Sequence, residues 1–312
     1  VIATVETWSR GDIAEDIFPG YKYQDFFRPD QNRNSVRGAG GIGIFIKEEF
    51  LGHITIYKRY KDIIVWIKFC KKYFNLSNDL LLGVVYCYPE SSACITEDIY
   101  AVLFQEIASI PIHFDKLMCG DYNARIGAFP DWSPDIFRMD SEGGMTCFPQ
   151  IQTDDFNDDE TLAFLDYLKL NGVLNRVSQD KIEKPNKYGH SLIDLCILFR
   201  MFVLNGRSGR DKGVGSVSFI SNYRGTSLVD YLIGTPKTFM LVENFGFETK
   251  LPESDHIPMT FTLNCSFFQN NNNKTIKKGN WSNHKSYKWN KENLPQLNTL
   301  LTDDKSKSFH DT

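Results

Sequence analysis

The stretch SLVDYLIG, residues 227–234, reads as an apolar strand with one charge inside it. A carboxylate in such a run is costly to bury unless it is paired, so Asp230 either reaches an exposed edge or has a buried partner. A histidine is a natural partner, because a carboxylate fixes the imidazole tautomer and raises its basicity. The chain offers one in SDHIPM, residues 254–259, where Asp255 and His256 stand side by side ahead of a short apolar run. The reading of the whole chain turns on whether other acids can converge on His256.

The bulk properties permit a folded catalytic body. The chain has 312 residues and 42% hydrophobic residues, enough to bury a sizeable core. Aromatics at 14% argue against general disorder. The chain opens at Val1 and reads as a fragment of a longer polypeptide. No apolar run approaches the length of a bilayer span, and no basic start leads into an apolar signal segment, so a secreted protein is not expected. Seven scattered cysteines without a CxxC pair argue against a disulfide framework and a zinc site, and for a reducing compartment. Net charge is −4, unevenly spread: from Asn264 onward eight lysines and four acids give +4, which leaves −8 on the remainder. An acidic body disfavours indiscriminate nucleic-acid binding but not a site that gathers acids around a metal.

Along the body, strand-like and helix-like segments alternate. GIGIFIK and HITIYK have the pattern of half-buried strands, whereas DIIVWIKFC and LLLGVVYCY are apolar enough for the centre of a covered sheet. TEDIYAVLFQEIA, ETLAFLDYLKLNG and SLIDLCILF read as helices, the second stopped by Asn171-Gly172. Further strands are expected at FVLNG, VSFIS and MTFTL. Residues 1–266 are expected to form one domain. Residues 267–312, Asn-rich and basic, read as a linker.

Several short motifs carry polar groups. GAGGIG, residues 38–43, matches a dinucleotide fingerprint, but a polar loop precedes it and a strand follows, so a tight turn is the better reading. VETW places Glu6 just past a short apolar lead, at the loop edge where sites on sheets are built; alone, it would read as a surface glutamate. In MCGDYNAR, Asp121 and Asn123 follow a strand, and alternate positions put both side chains on one side of an extended chain. Alone, that pair would read as an Asx turn. Asp255 could bind a hard cation while His256 faces a phosphate and Asp230. One or two carboxylates suffice for Mg²⁺, which keeps several waters.

The order of these motifs resembles the endonuclease/exonuclease/phosphatase superfamily. It is most similar to the apurinic-endonuclease-like domain of non-LTR (LINE-type) retrotransposons. The resemblance rests on ETW (6–8), GGIGIFIK (40–47), YCYPESS (86–92), GDYNAR (120–125), NRVSQDK and NKYGHSL (within 175–192), NGRSGRDKGVGSVSF (205–219), SLVDYLIG and SDHIPM. It implies an α/β, DNase I-like fold, a four-layer αββα sandwich of two packed mixed sheets. It also implies Mg²⁺-dependent cleavage of DNA phosphodiesters, with Mn²⁺ as a substitute. By motif position Glu6 would bind the metal with Asp255, and Asp230 would orient His256. Asp121 and Asn123 would position or activate the attacking water, Tyr86 would contact the scissile phosphate, and Asn205 and Arg207 would contact DNA. How proton transfer divides between Asp121 and His256 is left open. The chain departs from the family in lacking the opening strand whose Asn helps ligate or orient the metal group, in YCYP for a double proline, and in Ser218 for threonine.

The resemblance further implies a nick that leaves a 3′-OH to prime a reverse transcriptase domain in the full-length polypeptide, and action in the nucleus. The alternatives are an apurinic repair endonuclease or another phosphoesterase on the same fold, and a decayed or domesticated DNA-binding module.

Overall fold

The computed structural model describes residues 1–11, 13, 18–28, 38–90, 92, 97–132, 158–252, 254–265 and 286–288. The smaller sheet has β1 (Ile2–Val5), β2 (Tyr21–Phe26) and β3 (Ile42–Lys47), with β14 (Ser286–Lys288) at its edge, in the order β14-β1-β3-β2. β3 is antiparallel to both β1 and β2, and β14 runs parallel to β1. β14 falls within the stretch read as a linker.

The larger sheet has six strands: β4 (Ile54–Tyr60), β5 (Ile64–Phe69), β6 (Leu80–Tyr86), β7 (Asp115–Asp121), β8 (Phe202–Val203) and β11 (Asp230–Gly234). They run β4-β5-β6-β7-β11-β8, with β6 and β7 parallel and the rest antiparallel. β9 (Phe219–Ser221) pairs with β10 (Gly225–Ser227), and β12 (Val242–Phe247) with β13 (Met259–Leu263).

The core lies between the sheets. Ala3 and Val5 of β1 and Ile42, Ile44 and Ile46 of β3 join Trp66, Leu82 and Val84 of the larger sheet in one buried cluster. The alternate residues Ile2 and Phe45 turn outward, into a second cluster with Phe18 and Tyr23. Both faces of β1 and β3 are therefore covered. This is why GIGIFIK is buried at every position except Lys47, where alternation suggested one wet face. β4, at the edge of its sheet, keeps the expected alternation.

The helices are short. α1 (Lys71–Phe74) links β5 to β6. α2 (Ile99–Ala108) is capped by Asp98, whose carboxylate accepts from Tyr100 N and Ala101 N. α3 (Asp158–Leu170) stops before Asn171 and Gly172 as read from sequence. α4 (Lys187–Leu198) begins four residues ahead of SLIDLCILF because Asn186 caps it through Gly189 N. α5 (Pro236–Leu241) follows β11 and packs on β7 and β11; its short period escaped sequence reading. The architecture is an α/β sandwich of mixed sheets, as expected. Among the described residues no helix is long and apolar enough to cross a membrane. Among them, Cys70, Cys87, Cys119, Cys196 and Cys265 are free thiols.

Candidate active site

Asp230 opens its strand rather than interrupting it. β11 starts there and pairs Asp230 directly with Asp121 at the end of β7, while Tyr86 at the end of β6 pairs with Asp121 from the other side. Three neighbouring strands thus set Tyr86, Asp121 and Asp230 in one row. Gly120 makes this row possible: its φ is +139°, and a Cβ there would fall 2.0 Å from the Val85 carbonyl oxygen.

His256 meets the row from the segment before β13. Its Nδ1 is 2.7 Å from Asp230 Oδ2, and its Nε2 is 3.8 Å from Asp121 Oδ2. Asp230 and Asp121 are each 1% exposed and His256 is 9% exposed, so the contacts act at low dielectric. Phe219 of β9 packs edge-on against the imidazole and bridges to it through the backbone. Ser254 Oγ accepts from His256 N at 3.0 Å, which fixes the turn.

Asn123 closes on Asp121 from one side. Its backbone N donates to Asp121 Oδ1 at 2.9 Å, and its Nδ2 donates to Asp121 Oδ2 and to the Cys87 carbonyl. Asn123 has a left-handed backbone, φ 47°, a conformation Asn tolerates better than most residues. The bonds are those of an Asx turn, so the turn and the site are the same structure here. Glu6, also left-handed, accepts from the Tyr86 hydroxyl at 2.8 Å. Its segment is held by Thr7 N to Gly41 O and Trp8 N to Gly40 O. A Cβ on Gly41 would strike Thr7 Oγ1 at 2.2 Å, so the glycine run in GAGGIG serves close approach of the ETW segment.

Crowded acids set the electrostatics. Burial pushes the Asp121 carboxyl up to about 7; His256 opposes the rise, and the charges of Asp230 and Glu6 add to it. Burial, then the neighbouring Glu6 charge, push the Tyr86 phenol far up, so it stays a proton donor. Asp121, Asp230 and His256 each offer a ligand atom within 4.8 Å of the others. An oxygen-rich set of buried carboxylates in mutual repulsion suits a hard divalent cation.

Asp255 is exposed, and among the described residues no hydrogen bond or ion pair holds its carboxylate. Asn205 is fully buried and used by the backbone of β11: Nδ2 donates to Asp230 O and Oδ1 accepts from Leu232 N. Arg207 is a correction to the expected DNA contact. Its side chain is buried, and its donors go to Asp131 Oδ1 and Oδ2 and to the carbonyls of Val173, Leu174 and Val203. That uses the full donor capacity of a guanidinium, so none remains for a phosphate. Asn205 and Arg207 are scaffold, and NGR reads as a buried turn.

Sequence reading noted Ser218 as a departure from threonine and gave it no role. Its Oγ is fully buried and accepts from Val229 N and Asp230 N, both at 3.0 Å, which anchors the start of β11. A buried hydroxyl in VSFIS gives no periodic signal. Asp62 was missed: it accepts from Arg28 Nε, Gly41 N and the hydroxyl of Tyr88, whose ring packs edge-on against Tyr86.

No family model matches the chain, and no curated protein matches it. Among solved structures, the chain is similar to the endonuclease domain of TRAS1, a telomere-specific non-LTR retrotransposon, at 13% identity, with 79% of this chain and 81% of that one covered and a TM-score of 0.43. It is similar to an AP endonuclease from Archaeoglobus fulgidus at 13% identity, with 84% and 87% covered and a TM-score of 0.41. It is similar to the AP endonuclease LMAP from Leishmania major at 10% identity, with 78% and 70% covered and a TM-score of 0.48.

Proposed function

We propose that the chain is a divalent-metal-dependent nuclease that nicks DNA and leaves a 3′-OH. One observation carries the reading: His256 is held through Nδ1 by buried Asp230 and turns Nε2 toward Asp121, itself embraced by Asn123. Such a constellation suits attack of water on a phosphodiester.

In this reading Asn123 orients the water, and Asp121, whose carboxyl burial pushes up from the usual carboxylate range, takes the water's proton as oxygen attacks phosphorus. The P–O3′ bond breaks and the departing 3′ oxygen takes a proton from solvent water. His256, kept in one tautomer by Asp230, presents Nε2 to the phosphate. Tyr86, kept protonated beside Glu6, donates to a phosphoryl oxygen. By motif position Glu6 and Asp255 would hold Mg²⁺, or Mn²⁺ in its place, beside the buried carboxylates of Asp121 and Asp230, and the metal would neutralise charge on the phosphoryl oxygens.

Supercoiled-plasmid nicking with Mg²⁺, with chelator and with His256→Ala tests the reading. Nicking that needs Mg²⁺ and is lost in His256→Ala is expected. A folded chain, with or without upstream residues added, that leaves the plasmid intact would overturn it. The resemblance of motif order supports placing this activity in a mobile element acting in the nucleus, with a reverse transcriptase domain in the same polypeptide using the 3′-OH.

A further inference from the structure

Arg125 follows Asn123 by two residues, in the loop after β7. Its guanidinium forms a two-point fork with Asp180: Nε is 3.0 Å from Oδ2, and Nη2 contacts Oδ1. The pair is asymmetric. The Asp180 side chain is 1% exposed and the Arg125 side chain 40% exposed. Among the described residues Nη1 has no hydrogen-bond partner.

The surrounding backbone is pinned. Asn186 Oδ1 accepts from Arg125 N at 2.8 Å. The Tyr231 hydroxyl contacts Ala124 O at 3.2 Å and Ile126 N at 3.3 Å. Asp180 Oδ2 also accepts from Leu228 N at 3.2 Å, two residues ahead of Asp230.

The fork compensates the buried Asp180 carboxylate and still leaves the outer edge of the guanidinium open for a further contact. One edge of the guanidinium is fixed and the other faces solvent, the arrangement that recognises a phosphate with little loss of side-chain entropy. Two residues span at most about 7 Å, which keeps Arg125 close to Asn123. The body carries −8 outside the tail, so a polyanion nearing buried carboxylates gains from a fixed cation at the rim.

We propose that Arg125 binds a backbone phosphate of the DNA strand beside the scissile one, and that Asp180 is a positioning residue that aims it and ties the contact to the strand bearing Asp230. The proposal rests on the nuclease reading. It makes Asp180 a hinge pin common to three segments: GDYNAR, SQDK and SLVD.

The test compares Arg125→Ala, Arg125→Gln, Arg125→Lys and Asp180→Asn with Lys237→Ala, an exposed cation on α5, as a charge-matched control. Plasmid nicking gives kcat and KM, and binding of a duplex oligonucleotide across a salt series is read in a His256→Ala background. Loss of one charged contact predicts a KM rise of about tenfold for Arg125→Ala and Arg125→Gln. It also predicts a fall of about 0.9 in the salt slope. Arg125→Lys keeps the slope and loses part of the affinity. Asp180→Asn keeps the slope and lowers kcat as well. Arg125→Gln retains a donor for Asp180 and stands in if the alanine variant fails to fold. A wild type that nicks, with KM and slope unmoved in the Arg125 variants, overturns the Arg125 assignment alone. A wild type that neither nicks nor binds DNA overturns the nuclease reading itself.

Discussion

Asp121 shows at one residue how a site is set against the stability of its fold. Its carboxyl is pushed up to about 7 from 3.8, by burial first and by the charges of Asp230 and Glu6. Its folded value lies above its unfolded one. Between those values the native state holds a proton that the unfolded chain has released. Stability from this group is therefore full below pH 3.8 and is lost as pH rises toward 7. Asp121→Asn removes the loss. In chelator, that variant should melt about 2–4 °C above wild type at pH 8 for each kcal/mol recovered, and level with it at pH 3.5; equal melting at both pH values would remove the strained-acid account. The same substitution should abolish nicking. For His256, whose Nδ1 meets Asp230, Asp230→Asn should keep the fold and lower kcat by roughly 10²–10⁴, the range of a lost acid–base group. A full kcat in Asp230→Asn would separate the dyad from the chemistry.

At the scale of elements, the site depends on how β11 begins. Ser218, in the segment leading into β9, holds both Val229 N and Asp230 N. Ser218→Ala leaves two buried donors unmet, at about 1–3 kcal/mol each. It should lower the melting temperature and reduce kcat more than KM, whereas Ser218→Thr, which keeps the hydroxyl, should restore kcat. A pure stability loss with normal kcat would show that the anchor does not position Asp230. The hairpin of β9 and β10 packs Phe219 on His256 and carries Tyr223, 98% exposed, at its turn. Tyr223→Ala should raise KM on duplex DNA without changing kcat, since the ring lies outside the buried constellation; a kcat change in steady-state nicking would contradict that division.

For the molecule as a whole, the buried Arg207–Asp131 pair decides between scaffold and DNA contact. The two side chains are fully buried and hydrogen-bonded. Removing one partner leaves an uncompensated charge, which costs about 3–5 kcal/mol. Arg207→Ala should therefore fold poorly or melt far lower. Arg207→Lys, if folded, should bind DNA with an unchanged salt slope. A slope lowered by about 0.9 would restore Arg207 as a phosphate contact.

What the sequence determined by itself was local or ordinal: the apolar runs of β5, β6 and β7, the stop of α3 at Asn171-Gly172, and the order of Glu6, Tyr86, Asp121, Asp230 and His256 along the chain. Side-chain period, turn residues and motif order are properties of neighbours in sequence, so they were legible there. The pairing of Asp230 with His256 was inferable because an acid in an apolar run needs a partner. Tertiary structure alone decided that Asp230 begins its strand, that β3 is covered on both faces, and that Ser218 and Asp180 anchor the segments bearing the site. It also decided that Arg207, read as a contact for DNA, is spent on Asp131 and three carbonyls. Whether an arginine meets a phosphate or a buried aspartate depends on what lies across the fold from it, and residue type and spacing do not encode that distance.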